Sequence, residues 1–406
     1  MSDELMAAHK NKGLKSAYAV AFTCMVAFMG IGLVDPILKT IAVKLNATPA
    51  QTTLLFTSYM LVTGIIMLFT GFIATRIGAK KTISVGLIII VIFSALAGRS
   101  QTITQLIALR AGWGLGNALF LSTALSAIIA VMSDESEKAI ILYEASMGVG
   151  MAIGPLVGGV LGSLSWRFPF YGVAILMTIA AIAITLMLEP IAKAKKKARF
   201  FDGARALKNH KLRSVGIIAL LYNFGFFTIL AYAPFLLVGL TAMQVGLVFF
   251  GWGALLAMAS VFVAPFLERV TNTLVALLVG LGLFLICLIV IGINADQPVL
   301  VAAGVIVAGF FQGLVNTLLT TVAMENDAIE RSVASSAYSF IRFTGGAIAP
   351  FVAGKIAEHW SAHWTFYFAA LMILICFIFV IKNRRYFETL EEADKELTTA
   401  NKKMVR

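Results

Sequence analysis

The stretch "MGVGMAIGPLVGGVLG", residues 147–162, is apolar throughout, yet it contains six glycines and one proline. Relative to alanine, glycine disfavours a helix by about 1 kcal/mol and proline by about 3 kcal/mol. Gly150, Gly154, Gly158 and Gly162 recur at every fourth position and therefore form one stripe along a helix. A stripe without side chains allows another backbone to approach closely. The stretch predicts a membrane helix built for tight contact.

The composition of the whole chain indicates a polytopic membrane protein. Of its 406 residues, 60% are hydrophobic and 13% are charged, whereas soluble proteins contain about 25% charged residues. A helix needs about twenty apolar residues to cross a bilayer. The segments that satisfy this length are 16–38, 50–74, 82–98, 103–132, 138–164, 168–188, 214–238, 243–267, 273–293, 298–323, 332–357 and 364–382. The predicted fold class is all-α, with twelve transmembrane helices.

Lysine and arginine are unevenly distributed between the two sides of this arrangement. Of the 32 basic residues, 25 lie in connections on the same side as both termini, and five lie on the other side. Because positive loops stay in the cytoplasm, we expect a cell-membrane protein with both termini cytoplasmic. The net charge of +12 is then a topology signal and a contact with anionic lipid. It gives no reason to expect nucleic-acid binding.

A long basic connection divides the spans into two groups of six. The expected organisation is a cytoplasmic tail (1–15), an N-terminal six-helix bundle (16–188), a cytoplasmic basic linker (189–213), a C-terminal six-helix bundle (214–382) and a second cytoplasmic tail (383–406). We expect the charges of the linker to be solvated and to lie on anionic lipid. The alternative is a regulatory or partner-binding site.

The two halves of the chain are similar in sequence. "TPAQTTLLFTSY" (48–59) aligns without gaps with "TAMQVGLVFFGW" (241–252), and "GMAIGPLVGG" (150–159) aligns with "GGAIAPFVAG" (345–354). Such an ordered set of matches indicates an internal duplication. Two six-helix halves in the same orientation imply a pseudo-twofold axis along the membrane normal. Parallel-repeat transporters have this design, and their substrate lies between the halves near the midplane.

One loop resembles a signature of the major facilitator superfamily. It is "GFIATRIGAKK" (71–81), which follows the second span. The matching positions are Gly71, Arg76, Gly78 and Lys80. Thr75 stands where this family usually has an aspartate that helps to latch the cytoplasmic side. We therefore expect this latch to be lost or to be carried by other groups.

The glycine-rich stretch resembles the antiporter motif of the twelve-helix drug/proton antiporters in the same family. The matching positions are Gly150, Gly154, Pro155, Gly158 and Gly159. This resemblance implies two pseudo-symmetric bundles that export amphipathic compounds, cations among them, in exchange for protons. It also implies that the fifth span faces the opposite half, so that the glycine stripe lets the halves close and Pro155 bends the helix. The alternative is ordinary small-residue packing.

Four ionisable residues lie within the predicted spans, namely Asp35, Arg110, Glu144 and Arg342. A charge at this depth costs about 3 kcal/mol on insertion scales and is a functional candidate. The stretches around Asp35 and Arg110 resemble the first-span and fourth-span signatures of the family. Their similar depth predicts a pair in which Asp35 carries the proton and Arg110 tunes it. The alternative is a static ion pair.

Glu144 and Arg342 leave several roles open. Glu144 is a candidate second protonation site, a counter-charge for a cation, or a structural ion-pair residue between the halves. Arg342 either pairs with Glu144 or binds an anionic substrate.

Uncharged residues within the spans are candidates for the wall of a substrate cavity. The polar ones are Asn117, Tyr222, Asn223, Gln312 and Asn316, and the aromatic ones are Phe226, Phe227, Trp252, Phe310 and Phe311. Such a wall suits a large amphipathic solute and can attract cations through the ring faces. Most of the 30 phenylalanines are expected to pack or to face lipid.

Motifs for enzymatic chemistry are missing from the sequence. It contains no P-loop and no nucleophile–histidine arrangement at membrane depth. His359 and His363 are four residues apart, but no third metal ligand accompanies them. We expect a monomeric transporter, not an enzyme, with no cofactor and no metal, whose partners are a small-molecule substrate, protons and the bilayer. The alternative on the same fold is an exporter of one metabolite, such as a sugar or amino-acid derivative, or of a lipid.

Overall fold

The computed structural model describes residues 2–132, 136–191, 199–324 and 331–387. In these ranges the α-helices, labelled in chain order, are α1 (Ser2–Gly32), α2 (Leu38–Lys44), α3 (Pro49–Ile77), α4 (Ala79–Ala97), α5 (Ile103–Val131), α6 (Ser136–Leu164), α7 (Phe168–Met187), α8 (Asp202–Ala206), α9 (His210–Leu236), α10 (Ala242–Met258), α11 (Ala264–Val270), α12 (Thr273–Ile293), α13 (Pro298–Met324), α14 (Arg331–His359) and α15 (Ala362–Lys382). A π-helical turn joins α10 to α11, so that together they form one long span. The predicted spans are α1 and α3 to α7 in the N-terminal half, and α9, α10 with α11, and α12 to α15 in the C-terminal half.

Eleven helices in the described ranges are long and apolar enough to cross a membrane. The remaining predicted span, 332–357, is the eleventh in chain order and corresponds to helix α14, which has 29 residues but a lower mean hydropathy. It packs against α3 on one side and α9 on the other. Its polar side chains Ser335, Ser336 and Arg342 are buried there. A helix enclosed by protein needs less apolar surface than one that faces lipid, which explains its composition.

The internal repeat produces the same local structure twice. At the start of α3, the Thr48 hydroxyl accepts from the Gln51 amide while the Gln51 side chain accepts from the Thr48 amide. Thr241 and Gln244 make the same reciprocal pair at the start of α10. This capping box satisfies amide groups that a helix start leaves without partners. Residues that are aligned in the two halves, 193 positions apart in the sequence, are therefore structurally equivalent at these helix starts.

The two halves meet along two helix pairs, α3 with α14 and α6 with α10. The repeat exchanges these pairs, because α3 corresponds to α10 and α6 to α14. The Thr57 hydroxyl of α3 donates to the Ala347 carbonyl of α14 over 3.0 Å. At the end of the molecule predicted to be outside, the Lys39 ammonium of α2 donates to the Leu237 carbonyl that follows α9, over 3.0 Å. Burial lowers the pKa of Lys39.

The glycine stripe does not face the opposite half, so this part of the prediction is wrong. A Cβ atom on Gly154 would lie 2.5 Å from the Met29 carbonyl oxygen in α1, Gly150 meets the backbone of Met25 in α1, and Gly158 meets the backbone of Leu33 directly after it. The stripe therefore packs α6 against a helix of its own half. The reason is that α6 has two small-residue faces, and a four-residue spacing does not indicate which neighbour each face meets.

The second small-residue face of α6 contacts the C-terminal half. A Cβ atom on Gly148 would lie 2.8 Å from the Ala257 Cα atom of α10, and one on Gly159 would lie 3.0 Å from the Ala242 carbonyl oxygen. Pro155 lies within α6 and contacts Gly246 of α10. The antiporter-like motif thus serves two interfaces at once, one within a half and one between halves.

The loop motif after α3 is a tight turn. Gly78 has φ +93°, a conformation that favours glycine, and it ends α3 and begins α4. The Lys80 ammonium donates to the carbonyls of Thr185 and Leu188 at the end of α7. The Thr75 hydroxyl bonds back to the Gly71 carbonyl of its own helix over 2.9 Å.

The first span ends earlier than the sequence predicts. Helix α1 begins at Ser2, within the predicted tail, and ends at Gly32. Asp35 begins a 3₁₀ turn beyond it, Asp35–Ile37. The cause is Pro36, because a proline has no amide hydrogen to donate and its ring clashes with the carbonyl four residues earlier, here that of Gly32.

The linker partly folds onto the helices. The Phe200 ring stacks on Phe69 of α3 with centroids 4.4 Å apart, and α8 packs against both α3 and α14. Residues 192–198 of the linker and 388–406 of the predicted C-terminal tail lie outside the described residues.

Candidate functional site

A buried charged cluster joins the two halves at the centre of the molecule. The Glu144 side chain of α6 is completely buried. Its Oε2 atom accepts a hydrogen bond of 2.5 Å from the Asn316 amide of α13. Its Oε1 atom lies 4.0 Å from the Arg342 Nη1 atom of α14. Among the roles left open for Glu144 and Arg342, the structure therefore favours pairing across the halves.

The Arg342 guanidinium also faces a small cavity between the halves. Its Nη2 atom donates to the Met147 sulfur over 3.2 Å. The cavity has room for little more than a water molecule in this arrangement. Its wall consists of Phe28, Ile31, Met151, Phe226, Phe227, Arg342 and Phe343. These side chains come from α1, α6, α9 and α14, two helices of each half.

Three of the predicted lining residues instead form a hydrogen-bond network within the C-terminal half. The Trp252 indole donates to the Gln312 side-chain oxygen over 2.6 Å. The Tyr222 hydroxyl donates to the Gln312 carbonyl over 2.6 Å. Asn223 donates to the Ala219 carbonyl of its own helix. These residues lie behind Phe226, whose ring contacts Trp252 with centroids 5.5 Å apart and also lines the cavity.

Arg110 of α5 is a buried cation within the N-terminal half. Its side chain is completely buried, and its guanidinium lies 4.4 Å from the Tyr59 ring centroid and 4.6 Å from that of Trp113. Its Nη1 atom donates to the Gly30 carbonyl in the last turn of α1 over 3.4 Å. The first and fourth spans therefore meet at Arg110. The Asp35 side chain lies outside the described residues, so its pairing with Arg110 stays a prediction.

Asn117 lies one helical turn beyond Trp113 on α5. Its side chain is completely buried, and its amide nitrogen and oxygen have no hydrogen-bond partner among the described residues. Asn316 is its counterpart in the repeat, since "WGLGN" (113–117) is similar to "QGLVN" (312–316). The Asn316 amide has a hydrogen-bond partner in Glu144. The two halves are therefore alike in sequence at this position but differ in their contacts.

The two histidines do not form a metal site within the described residues. The His363 Nε2 atom lies 3.1 Å from the Asp296 carboxylate, which accepts its hydrogen bond, while His359 contacts the carbonyl of Lys355. Within the described ranges, no three histidine, cysteine, aspartate or glutamate side chains lie close enough together to hold a metal ion.

A family comparison accounts for this arrangement. The sequence model of the Major Facilitator Superfamily matches residues 20–350 and 238–404, which together span most of the chain. The chain belongs to the major facilitator superfamily. Members of this superfamily carry small molecules across membranes, so the protein is a multi-pass membrane transporter and not an enzyme.

Related sequences include a multidrug efflux protein and a quinolone resistance protein. The chain is 49% identical over 372 residues to the multidrug efflux protein YfmO of Bacillus subtilis, which covers 92% of this chain and 94% of that protein. It is 29% identical over 181 residues to the quinolone resistance protein NorA of Staphylococcus aureus, covering 43% of this chain and 46% of NorA.

Two solved structures confirm the superfamily fold. The human organic anion transporter MFSD10 superposes with a TM-score of 0.72 at 16% identity, over 91% of this chain and 99% of that one. A bacterial homologue of the human lysosomal transporter Spinster, in an inward-facing and unoccupied conformation, superposes with a TM-score of 0.74 at 16% identity. The match covers 93% of this chain and 98% of that one. At this identity the likeness concerns the fold alone.

Sequence reasoning missed several residues at the centre of this superfamily fold. They are Phe28, Ile31, Met147, Met151 and Phe343. Met147 and Met151 stand one turn apart in the glycine-rich stretch, between its two small-residue faces. That position is a signal for a side chain that points along the boundary between halves. The other three carry no such signal, because phenylalanine and isoleucine are common throughout the spans.

Proposed function

We propose that this protein is a proton-coupled antiporter that exports amphipathic and lipophilic compounds from the cytoplasm of a bacterium. It works by alternating access, with the six-helix halves 16–188 and 214–382 rocking about the central cavity and residues 189–213 joining them. Both termini are cytoplasmic, and one chain suffices for transport. The 49% identity to a multidrug efflux protein supports the substrate class.

The observation that carries this proposal is the Glu144–Arg342 pair between the halves. The pair crosses from α6 to α14 and lies beside a cavity with a mostly aromatic wall. A buried carboxylate that loses its cation becomes costly unless it is neutralised. Any rocking motion that separates α6 from α14 therefore links the charge state of Glu144 to the conformation.

Asp35 is the proposed proton carrier, with Arg110 as the group that tunes it. Arg110 is fixed by two aromatic rings and the Gly30 carbonyl. Asp35 belongs to a short turn between α1 and α2, close in sequence to the Lys39 contact between the halves. Opening of the outer end would move this turn relative to Arg110. Such a movement changes the electrostatic environment of a carboxylate and so its affinity for a proton.

The aromatic wall sets what the cavity accepts. Phe28, Phe226, Phe227 and Phe343 provide apolar surface, while Arg342 provides one charged contact. Asn117, with its unpartnered amide, and the Trp252–Gln312 pair lie one layer behind. They are proposed to bind substrate when the halves separate and the cavity widens.

Transport in inside-out membrane vesicles tests the proposal. Wild-type vesicles with an acidic lumen should accumulate several unrelated amphipathic dyes. The addition of each dye should release protons from the lumen to the outside. Asp35→Asn should abolish gradient-driven accumulation but keep downhill dye exchange. Asp296→Asn, a carboxylate exposed in an outer connection, is the matched control and should behave as wild type. Full gradient-driven accumulation in Asp35→Asn would contradict the proposed carrier. Transport of one metabolite or of lipid, with no dye accumulated, would replace the proposed substrate class.

A further inference from the structure

The cavity between the halves presents one kind of charge to a substrate. Of its lining residues, Arg342 is the ionisable one, and the rest are phenylalanine, isoleucine or methionine. Arg342 keeps 8% of its surface exposed, whereas Glu144 keeps none. A solute that enters this cavity therefore meets the guanidinium before it can reach the carboxylate.

The guanidinium has hydrogen-bonding capacity that its present neighbours use poorly. Nη2 donates to the Met147 thioether sulfur, which is a weak acceptor. Nη1 lies 4.0 Å from Glu144, a distance too long for a hydrogen bond. Guanidinium groups bind carboxylates and similar anions with two parallel hydrogen bonds of roughly twice the ordinary strength. An anion in the cavity would therefore improve on both present contacts.

Glu144 is held on the far side of Arg342. Its Oε2 atom is bound to Asn316 of α13, which fixes the carboxylate away from the cavity. A substrate anion and Glu144 consequently approach the same guanidinium from different directions. The substrate anion and the Glu144 carboxylate repel each other, so they compete for the Arg342 guanidinium. A cation in the cavity would instead meet a like charge at the wall.

We propose that Arg342 selects amphipathic substrates that carry an acidic group, whose anion displaces Met147 from the guanidinium and competes with Glu144. The proposal rests on the proposed export function and specifies its substrate class. It makes Arg342 a residue that contacts substrate and Glu144 a residue that limits how tightly acidic substrates bind.

Two amphiphiles with the same alkyl chain and opposite charge test this selection. Decanoate, whose carboxylate can accept both guanidinium hydrogen bonds, and decylammonium are titrated below their micellar concentrations into the purified full-length protein in nanodiscs, with empty nanodiscs subtracted. The wild-type protein should bind decanoate on the order of tenfold more tightly than decylammonium. Arg342→Lys should keep part of this preference, because it retains the charge but loses the planar fork. Equal binding, or a preference for the cation, would overturn the proposal.

Two variants separate charge selection from structural damage. Glu144→Gln should strengthen decanoate binding severalfold, because the competing carboxylate is gone. A residue with a merely structural role would not have this effect. Glu144→Gln combined with Arg342→Gln leaves a neutral site and should bind both ions alike. A preference for decanoate over decylammonium that persists in this double variant would contradict the role of Arg342.

The binding measurement is made without any gradient, so it is independent of proton coupling. Dye transport that fails in vesicles would contradict the proposed function, even if the preference for decanoate depended on Arg342. Dye transport that succeeds while the preference is missing would remove only this inference.

Discussion

Gly246 of α10 packs against the Pro155 carbonyl of α6 so closely that a Cβ atom at residue 246 would lie 2.6 Å from the oxygen. This contact joins the two halves at the proline of the antiporter-like motif. The carbonyl is fixed backbone, which cannot move aside as a flexible side chain can. The closeness of the halves along α6 and α10 therefore depends on the lack of a side chain at this position.

Gly246→Ala should impair transport more than folding. The added methyl group keeps α10 from α6, but it leaves the packing within each half unchanged. We expect gradient-driven dye accumulation to fall by about tenfold or more, with a thermal unfolding temperature close to wild type. Gly251→Ala on the same helix is the control, because its Cβ atom would lie 3.4 Å from Ile306 in ordinary contact. Equal transport by the two variants would show that this inter-half contact is not needed.

Gly154→Ala should impair folding of the N-terminal half. Its Cβ atom would lie 2.5 Å from the Met29 carbonyl oxygen of α1. Overpacking of this kind costs about 1–3 kcal/mol, so the unfolding temperature of the purified protein should drop by several degrees. Gly282→Ala, whose nearest neighbour atom would be 3.8 Å away, should unfold like wild type or slightly later.

The effects of substituting Glu144 and Arg342 on the free energy of unfolding should be strongly non-additive. Arg342→Met leaves a buried carboxylate without its cation and should cost about 3–5 kcal/mol of stability. The double variant Glu144→Gln/Arg342→Met removes both charges and should recover most of that loss. Thermal unfolding of the two single variants and the double variant measures the coupling. Additive losses would mean that the two side chains do not stabilise each other at 4.0 Å.

Lys39→Met should open the outer end of the molecule. The Lys39 ammonium binds the Leu237 carbonyl across the halves. In a background without the native cysteines, a cysteine introduced by Leu237→Cys is buried and should react slowly with a membrane-impermeant thiol reagent. Lys39→Met should speed this reaction severalfold. Lys44→Met, at an exposed position of the same short helix, should leave it unchanged.

The same contact has a defined pH dependence. Burial lowers the pKa of Lys39 in the closed arrangement, whereas a lysine in water keeps its ordinary value. The closed arrangement therefore binds fewer protons, and raising the pH between these two values favours closure. The thiol-labelling rate at residue 237 is measured in the protein that retains Lys39 and divided by the rate in the Lys39→Met variant. This ratio should fall as the pH is raised through this alkaline range. A ratio that rises with pH would show the opposite linkage.

Several features of the molecule follow from local sequence. The apolar segments predict the spans because a helix must satisfy its own backbone in lipid, so the limits 103–132 and 273–293 correspond closely to α5 and α12. The Thr48–Gln51 and Thr241–Gln244 pairs reveal the duplication, since a capping box is made within four residues.

Contacts between distant segments could not be predicted in the same way. The glycine stripe of α6 was assigned to the wrong neighbour, because its spacing defines a face but not the helix that covers it. Tyr222, Trp252 and Gln312 were expected in the cavity wall, yet they satisfy one another behind it. Polar residues inside a span must find partners, and sequence alone does not say whether those partners are protein or substrate.

The sequence by itself determined the class of protein, the number of spans, their duplication and the membership in a transporter family. These properties depend on hydropathy, charge distribution and short motifs, each of which acts over a few neighbouring residues. Only the tertiary structure decided that Glu144 meets Arg342 and Asn316, and that Arg342 faces the cavity. These residues are up to 198 positions apart in the sequence, and their contact results from how two six-helix halves pack against each other.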